Sequence, residues 1–398
     1  ENGLREDCFA DTMIMSTYLV AFIVGELEAT EPIDVDGVPL RIVHVPGKGD
    51  LTEFGLLAGE FSLRWLVDYY DIPYPAGKLD LIAVPDFAFG AMENLGCVTF
   101  RETLLLADPE RTTQAELTRI VDVIAHEIAH MWFGNLVTMD WWNGIWLKEA
   151  FATFMQVATT DAFRPDWRRW DGFCVERGAA FDTDSLASTR PIEFEVISPQ
   201  DAEAMYDILT YEKGAAVVRM LEQFLGPDDF RSGVKHYLTT HSYANTTTTD
   251  LWDSLEVATG IPVRAAMDTW IFQGGHPVIF VQKSVEGITV KQTRFGYTDI
   301  EQASWHVPII VRARVGSTEV ESRLLLEEDE ATIDLGGVPD WVVVNAGGHG
   351  FYRVAYDANL LQALSAQALE VLSPSERYGL VDDTWASVLA GQIDAETH

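Results

Sequence analysis

At 398 residues the chain exceeds one hydrophobic core of ordinary size, which favours two or three folding units. Hydrophobic residues make up 47% and charged residues 22%, the mix of a folded globular protein, and no apolar run is long enough for a membrane-spanning helix. With 62 acidic against 27 basic residues the formal net charge is -35, which repels phosphate backbones and anionic lipid, so neither nucleic acid nor a membrane surface is an expected partner.

Cys8, Cys97 and Cys174 are odd in number and far apart, which argues against both a disulfide framework and a cysteine zinc site. A reducing, cytoplasmic location is the expectation. The chain opens ENGLREDCFADTM, without an initiator Met or the basic start and apolar core of a signal peptide, and reads as beginning inside a domain.

In chain order, MSTYLVAFIVGELEA and VPLRIVHVPG are rich in β-branched and aromatic residues and predict strands ending near Pro46-Gly47. Apolar residues recur at helical spacing from Leu51 to Tyr70, and LDLIAVPDF reads as a buried strand. FGAMENLGCVTFRETLLL supplies a further strand. Thr113 and Glu116 form a capping box ahead of LTRIVDVIAHEIAHMWFG, a helix expected to run to Gly134-Asn135. A second helix is expected from about Trp146 to Ala158, and further helices to about Phe272, including YEKGAAVVRMLEQFL. After QGGHP, closely spaced short strands from VIFVQK to FYRVAY imply a hairpin and a small β-sandwich, and from Asn359 the pattern is helical again.

The strongest chemical signal is His126-Glu127-Ile128-Ala129-His130 inside the helical pattern that follows the capping box. Residues four apart on a helix differ by about 40° in direction, so both imidazoles leave one face and can meet a single ion. Glu127 lies between them, able to reach a water activated by the metal without being a ligand itself. A chance match to the pentapeptide in a chain of this length has a probability on the order of one per cent, so the motif alone does not decide. A catalytic zinc site needs a third protein ligand and an open position. Glu149, nineteen residues after His130 on the following helix, is the candidate.

HEIAH, eighteen intervening residues and Glu149, together with GAMEN at Gly90, Ala91, Met92, Glu93 and Asn94, resemble the M1 family of zinc aminopeptidases. The flanking HMWFGNLVTMDWWNGIWLKEAFATFM, WIFQGGHPVI and WVVVNAGGHGFYRVAYD are similar to the family as well, so the resemblance covers essentially the whole chain. It implies one zinc ion held by His126, His130 and Glu149, with Glu127 as general base. It implies that Glu93 in GAMEN binds the free α-amine of a peptide, with Met92 lining the first side-chain pocket. Tyr211 looks like the family's transition-state tyrosine, Tyr206 being its nearest competitor. Lys148 and Ala150 stand where many members have Asn and Gly, and both changes read as tolerable.

The fold implied is α+β and multidomain: final strands of an N-terminal β-domain over 1–29, a thermolysin-like zinc catalytic unit over 30–272, a β-sandwich over 273–358 and the start of a helical domain over 359–398. The activity implied is release of N-terminal residues from peptides with a free N-terminus. An endopeptidase, an epoxide hydrolase of the leukotriene hydrolase type and a non-catalytic scaffold fragment are the alternatives. Neither the preferred residue nor the oligomeric state is readable.

Overall fold

The computed structural model describes residues 6–396. The outermost residues of both predicted terminal units, His398 included, lie outside the described residues. Of the strands predicted over residues 15–29 only the last two residues pair, and the stretch 15–27 makes only a 3-10 turn at Thr17–Leu19. Its β-favouring residues find no partner ladder among the described residues, and Val20, Phe22 and Val24 stand exposed.

Pairing begins at β1 (Glu28–Ala29), followed by β2 (Ile33–Val35) and β3 (Val38–His44). Both β1 and β2 run antiparallel to β3, so β1 shares a sheet with a strand on the far side of the boundary drawn at 29/30. Helix α1 (Glu53–Tyr70) carries the chain back for β4 (Leu79–Val84) to lie parallel to β3. β5 (Ala91–Met92) and β6 (Cys97–Arg101) complete the sheet in the order β1-β3-β4-β6-β5. Central β4 is buried from Leu79 to Ala83, as a parallel strand covered on both faces must be, while the GAMEN segment forms the outer edge.

The helices that follow place the chemistry. α2 (Gln114–Ala129) starts at the capping box as expected, with both Thr113–Glu116 bonds made. It ends a turn earlier than the apolar pattern implies, because the chain reverses through Gly134 at φ +123°, a conformation that a Cβ disfavours. After β7 (Val137–Met139) comes α3 (Trp146–Phe163), longer than predicted because buried Thr159 and Thr160 stay helical, the latter donating to Asp122 of α2. α4 (Arg169–Asp184) and α5 (Pro199–Ala204) lead to one π-helical turn at Leu209–Lys213, continued by α6 (Gly214–Leu225). α7 (Pro227–Thr240), β8 (Ala244–Thr246), α8 (Thr248–Thr259) and α9 (Arg264–Ile271) close this region, β8 pairing with β7.

The strands after Gly275 divide between two sheets, as expected for a sandwich. β9 (Pro277–Lys283) and β10 (Gly287–Arg294) form the hairpin, joined by β13 (Glu330–Asp334) and β15 (Arg353–Tyr356) in the order β13-β10-β9-β15. The second sheet is β12 (Thr318–Leu326), β11 (Val307–Val315) and β14 (Trp341–Val344). Three helices follow, α10 (Ala358–Ser365), α11 (Ala368–Val371) and α12 (Pro374–Leu389). One hydrophobic cluster runs unbroken from Val35 in the first sheet through the helices to Val354 and Leu360.

A buried ionic knot ties the helical region to the sandwich. Asp184 at the end of α4 receives Lys213 Nζ at 2.9 Å and faces His276 Nδ1 at 3.2 Å, and all three side chains are fully buried. The Gly275 amide donates to Asp184 at 2.9 Å and Lys213 donates to the Gly275 carbonyl at 3.0 Å, so the aspartate and the ammonium are both bonded within the junction, while His276 Nε2 has no hydrogen-bond partner.

Candidate metal centre and substrate cleft

On α2, His126 and His130 fall on one face and meet Glu149, which α3 delivers from the opposite side. The two Nε2 atoms lie 3.1 Å apart, and Glu149 Oε2 lies 3.3 Å from His126 Nε2 and 3.4 Å from His130 Nε2. These separations match the edge of a tetrahedron with bonds of about 2.0–2.1 Å, which is about 3.3 Å. The outer nitrogens fix the tautomers. His126 Nδ1 donates to Gln156 Oε1 at 3.0 Å and His130 Nδ1 donates to the Phe133 carbonyl at 2.9 Å, leaving both Nε2 lone pairs free to ligate.

The electrostatics show the same demand for positive charge at this point. Burial works to lower the pKa of His130, but the carboxylates of Glu93 and Glu149 outweigh it and push it up to about 9. Burial holds His126 below its ordinary value. Positive charge is therefore favoured where the two Nε2 atoms meet, and the donor set of two imidazoles and one carboxylate fits a divalent zinc-type ion.

Glu127 is buried beside this cluster, and its Oε2 makes no hydrogen bond. Burial pushes its pKa up to about 8; His130 opposes the rise and the neighbouring Glu93 and Glu149 reinforce it. A carboxyl poised near neutrality with a free oxygen is equipped to exchange a proton with a bound molecule.

Glu93 follows edge strand β5, its backbone carbonyl held by Asn135 Nδ2 at 2.9 Å. Carboxylate and imidazole atoms of Glu93, Glu127 and His130 lie within 4.8 Å of one another. Tyr211 sits in the π-turn and stacks on His126 with ring centroids 6.0 Å apart, and burial keeps its phenol protonated. Tyr206 is 45% exposed and faces Lys148 instead, so of the two tyrosines only Tyr211 lies against an imidazole of the candidate metal cluster.

A cleft of ≈ 1260 Å³ opens over these groups, lined by Gly90, Ala91, Met92, Glu93, His126, Glu127, His130, Glu149 and Tyr211. Asn94, the last residue of GAMEN, is not among its lining residues. Its side chain turns inward to the Leu19 carbonyl and Thr99, securing the loop rather than facing the cavity.

Sequence reasoning missed two further groups. Gln156 lies seven residues after Glu149, two turns along the same helix face, and that spacing could have marked it. Lys148, read as a tolerable variation, is buried with its ammonium between Glu93 and Glu149. No local pattern could have shown that.

Residues 56–270 match the Peptidase family M1 domain. The chain belongs to peptidase family M1. Residues 341–398 match the ERAP1-like C-terminal domain. The chain is 39% identical to Aminopeptidase M1-A of Oryza sativa subsp. japonica, over 98% of its own length and 45% of that protein. It is 40% identical to the puromycin-sensitive aminopeptidase of Caenorhabditis elegans, over 97% and 42% of the respective lengths. To the leucyl aminopeptidase of Saccharolobus solfataricus it is 37% identical, over 99% and 49%. The chain thus spans about half the length of these curated relatives. M1 is a family of metallopeptidases, and among the described residues no helix is long and apolar enough to cross a membrane.

Proposed function

We propose that this chain is the catalytic part of a zinc aminopeptidase that releases N-terminal residues from peptides with a free α-amine. The observation that carries the reading is the placement of a buried carboxylate, Glu93, beside Glu127 and the His126–His130–Glu149 cluster. An α-amine, with a pKa of about 7.7–8.0, is largely cationic at neutral pH and is drawn to such a carboxylate. Because that anion stands a fixed distance from the metal donors, only the first peptide bond reaches the reacting position.

His126, His130 and Glu149 would hold the ion, and zinc bound there supplies the Lewis acidity that polarises a carbonyl and acidifies water. Glu127 takes the proton of the attacking water on its free oxygen and returns it to the departing amine. The Tyr211 phenol donates to the oxyanion that forms at the scissile carbonyl, an interaction that strengthens as charge develops. Glu93 holds the substrate amine throughout. The printed names of the three relatives, all aminopeptidases, support the substrate class. Three free cysteines support a reducing, cytoplasmic setting.

The test is N-acetylation. A chromogenic aminoacyl amide should be hydrolysed and its N-acetyl form should be inert. Equal turnover of the two would remove Glu93 from its role and return the chain to the endopeptidase reading.

A further inference from the structure

Lys148 is the best-held cation in the cleft. Its side chain is 3% exposed and its Nζ lies 2.8 Å from Glu93 Oε1, while a second, shorter contact reaches Glu149 Oε1. The rings of Tyr18 and Tyr206 flank the same ammonium, with centroids at 5.6 and 5.7 Å. Two carboxylates and two aromatic faces thus form a cage for one positive charge, and the protein fills that cage with its own side chain. Glu149 offers its Oε2 to the histidines and its Oε1 to Lys148, so the lysine meets the oxygen that faces away from the metal donors. At Glu93 the situation differs, since that carboxylate is the one proposed to receive the substrate amine.

We propose that Lys148 is a specificity-determining residue: its ammonium is a tethered competitor for Glu93, which an incoming α-amine must displace or share. The inference rests on the reading of Glu93 as the amine site. Its consequence is that this chain rewards a free α-amine less than an unpaired Glu93 would, because part of the attraction is already satisfied internally. A neutral side chain at 148 releases that attraction to the ligand.

The experiment compares two zinc-directed probes that differ only in the amine, leucine hydroxamate and its desamino analogue 4-methylpentanohydroxamic acid. Calorimetric Kd values are measured on the zinc-loaded full chain, after metal analysis of each variant. The ratio of the two Kd values reports what the amine contributes. Lys148→Met should raise that ratio at least tenfold, through tighter binding of leucine hydroxamate with the desamino probe unchanged. Lys148→Arg, which keeps a cation, should stay near the parent value. Glu93→Gln should reduce the ratio to near one.

A ratio that is unchanged or lower in Lys148→Met while Glu93→Gln abolishes it overturns the competitor role and leaves the amine site standing. A ratio untouched by Glu93→Gln removes the amine site itself, and the competitor with it. Lys148→Asn provides a second neutral variant. If both neutral variants lose zinc while Lys148→Arg retains it, Lys148 acts by positioning Glu149, and the proposal is again overturned.

Discussion

Gly214 and Ala150 meet where α6 crosses α3, and the contact decides how far Tyr211 stands from Glu149. A Cβ built on Gly214 would lie 2.6 Å from the Ala150 Cβ. Carbon atoms settle at about 3.5–4.0 Å, so Gly214→Ala requires the helices to part by about 1 Å. The backbone itself accepts alanine, since Gly214 is helical at φ -56° and ψ -51°, and the substitution gains up to about 1 kcal/mol of helix propensity. Overpacking costs about 1–3 kcal/mol, so the clash wins. The net expectation is a loss of about 1–2 kcal/mol in stability.

Activity should fall further than stability, because Glu149 precedes Ala150 by one residue and Tyr211 precedes Gly214 by three. A misplacement of about 1 Å between such groups can cost about a hundredfold in rate. Ala150→Gly removes the opposing methyl and should restore both properties in the Gly214→Ala background, although alone it weakens the helix by up to about 1 kcal/mol. The assay is a double-mutant cycle on urea midpoint and kcat across the four proteins. Effects additive to within about 0.5 kcal/mol would refute the steric argument, as would a fully active Gly214→Ala protein.

Glu127→Gln should lower kcat by about 10²–10⁴ while metal content and melting temperature hold, since it neutralises a buried carboxylate that has an unbonded oxygen; steady-state kinetics with metal analysis reads both. Stripping the metal with a chelator should lower the melting temperature, by the equivalent of about 4 kcal/mol for an ion present at a thousand times its Kd, and re-addition should reverse it. Burial lowers the pKa of His276 to about 4 against about 6.5 in an unfolded chain, so between these values the unfolded state binds more protons than the native one. Stability should therefore fall as pH drops from about 6.5 to about 4, by about 3 kcal/mol from this group. The slope should flatten in His276→Gln, and melting curves across that range with equal slopes for the two proteins would exclude the account.

The candidate metal cluster was legible because helical periodicity brings His126 and His130 to one face, while Glu149 entered through the family resemblance of its position after His130. The capping box at Thr113 and Glu116 was equally local. Less was legible where the outcome depends on what packs opposite. Residues 15–27 have strand-forming side chains but no ladder to join among the described residues, so their composition misled. Tyr211 was preferred to Tyr206 only through the family resemblance, and no local pattern foretold the π-turn that directs the first against His126 and leaves the second half exposed. Lys148 is the clearest case, since its neighbours Glu93 and Tyr18 are 55 and 130 residues away in sequence.

The knot of Asp184, Lys213 and His276 bears on how such a protein can be recombined. A chimera spliced at Gly274-Gly275, in the loop ahead of β9, looks harmless on chain position alone. In this chain that cut would separate His276 and the Gly275 peptide from the aspartate they satisfy, and would strand Lys213 two residues from Tyr211. A graft that keeps the working geometry must therefore carry the Gly275-His276 dipeptide with the donor of α4 and the π-turn, making the sandwich's first residues the property of the catalytic helices.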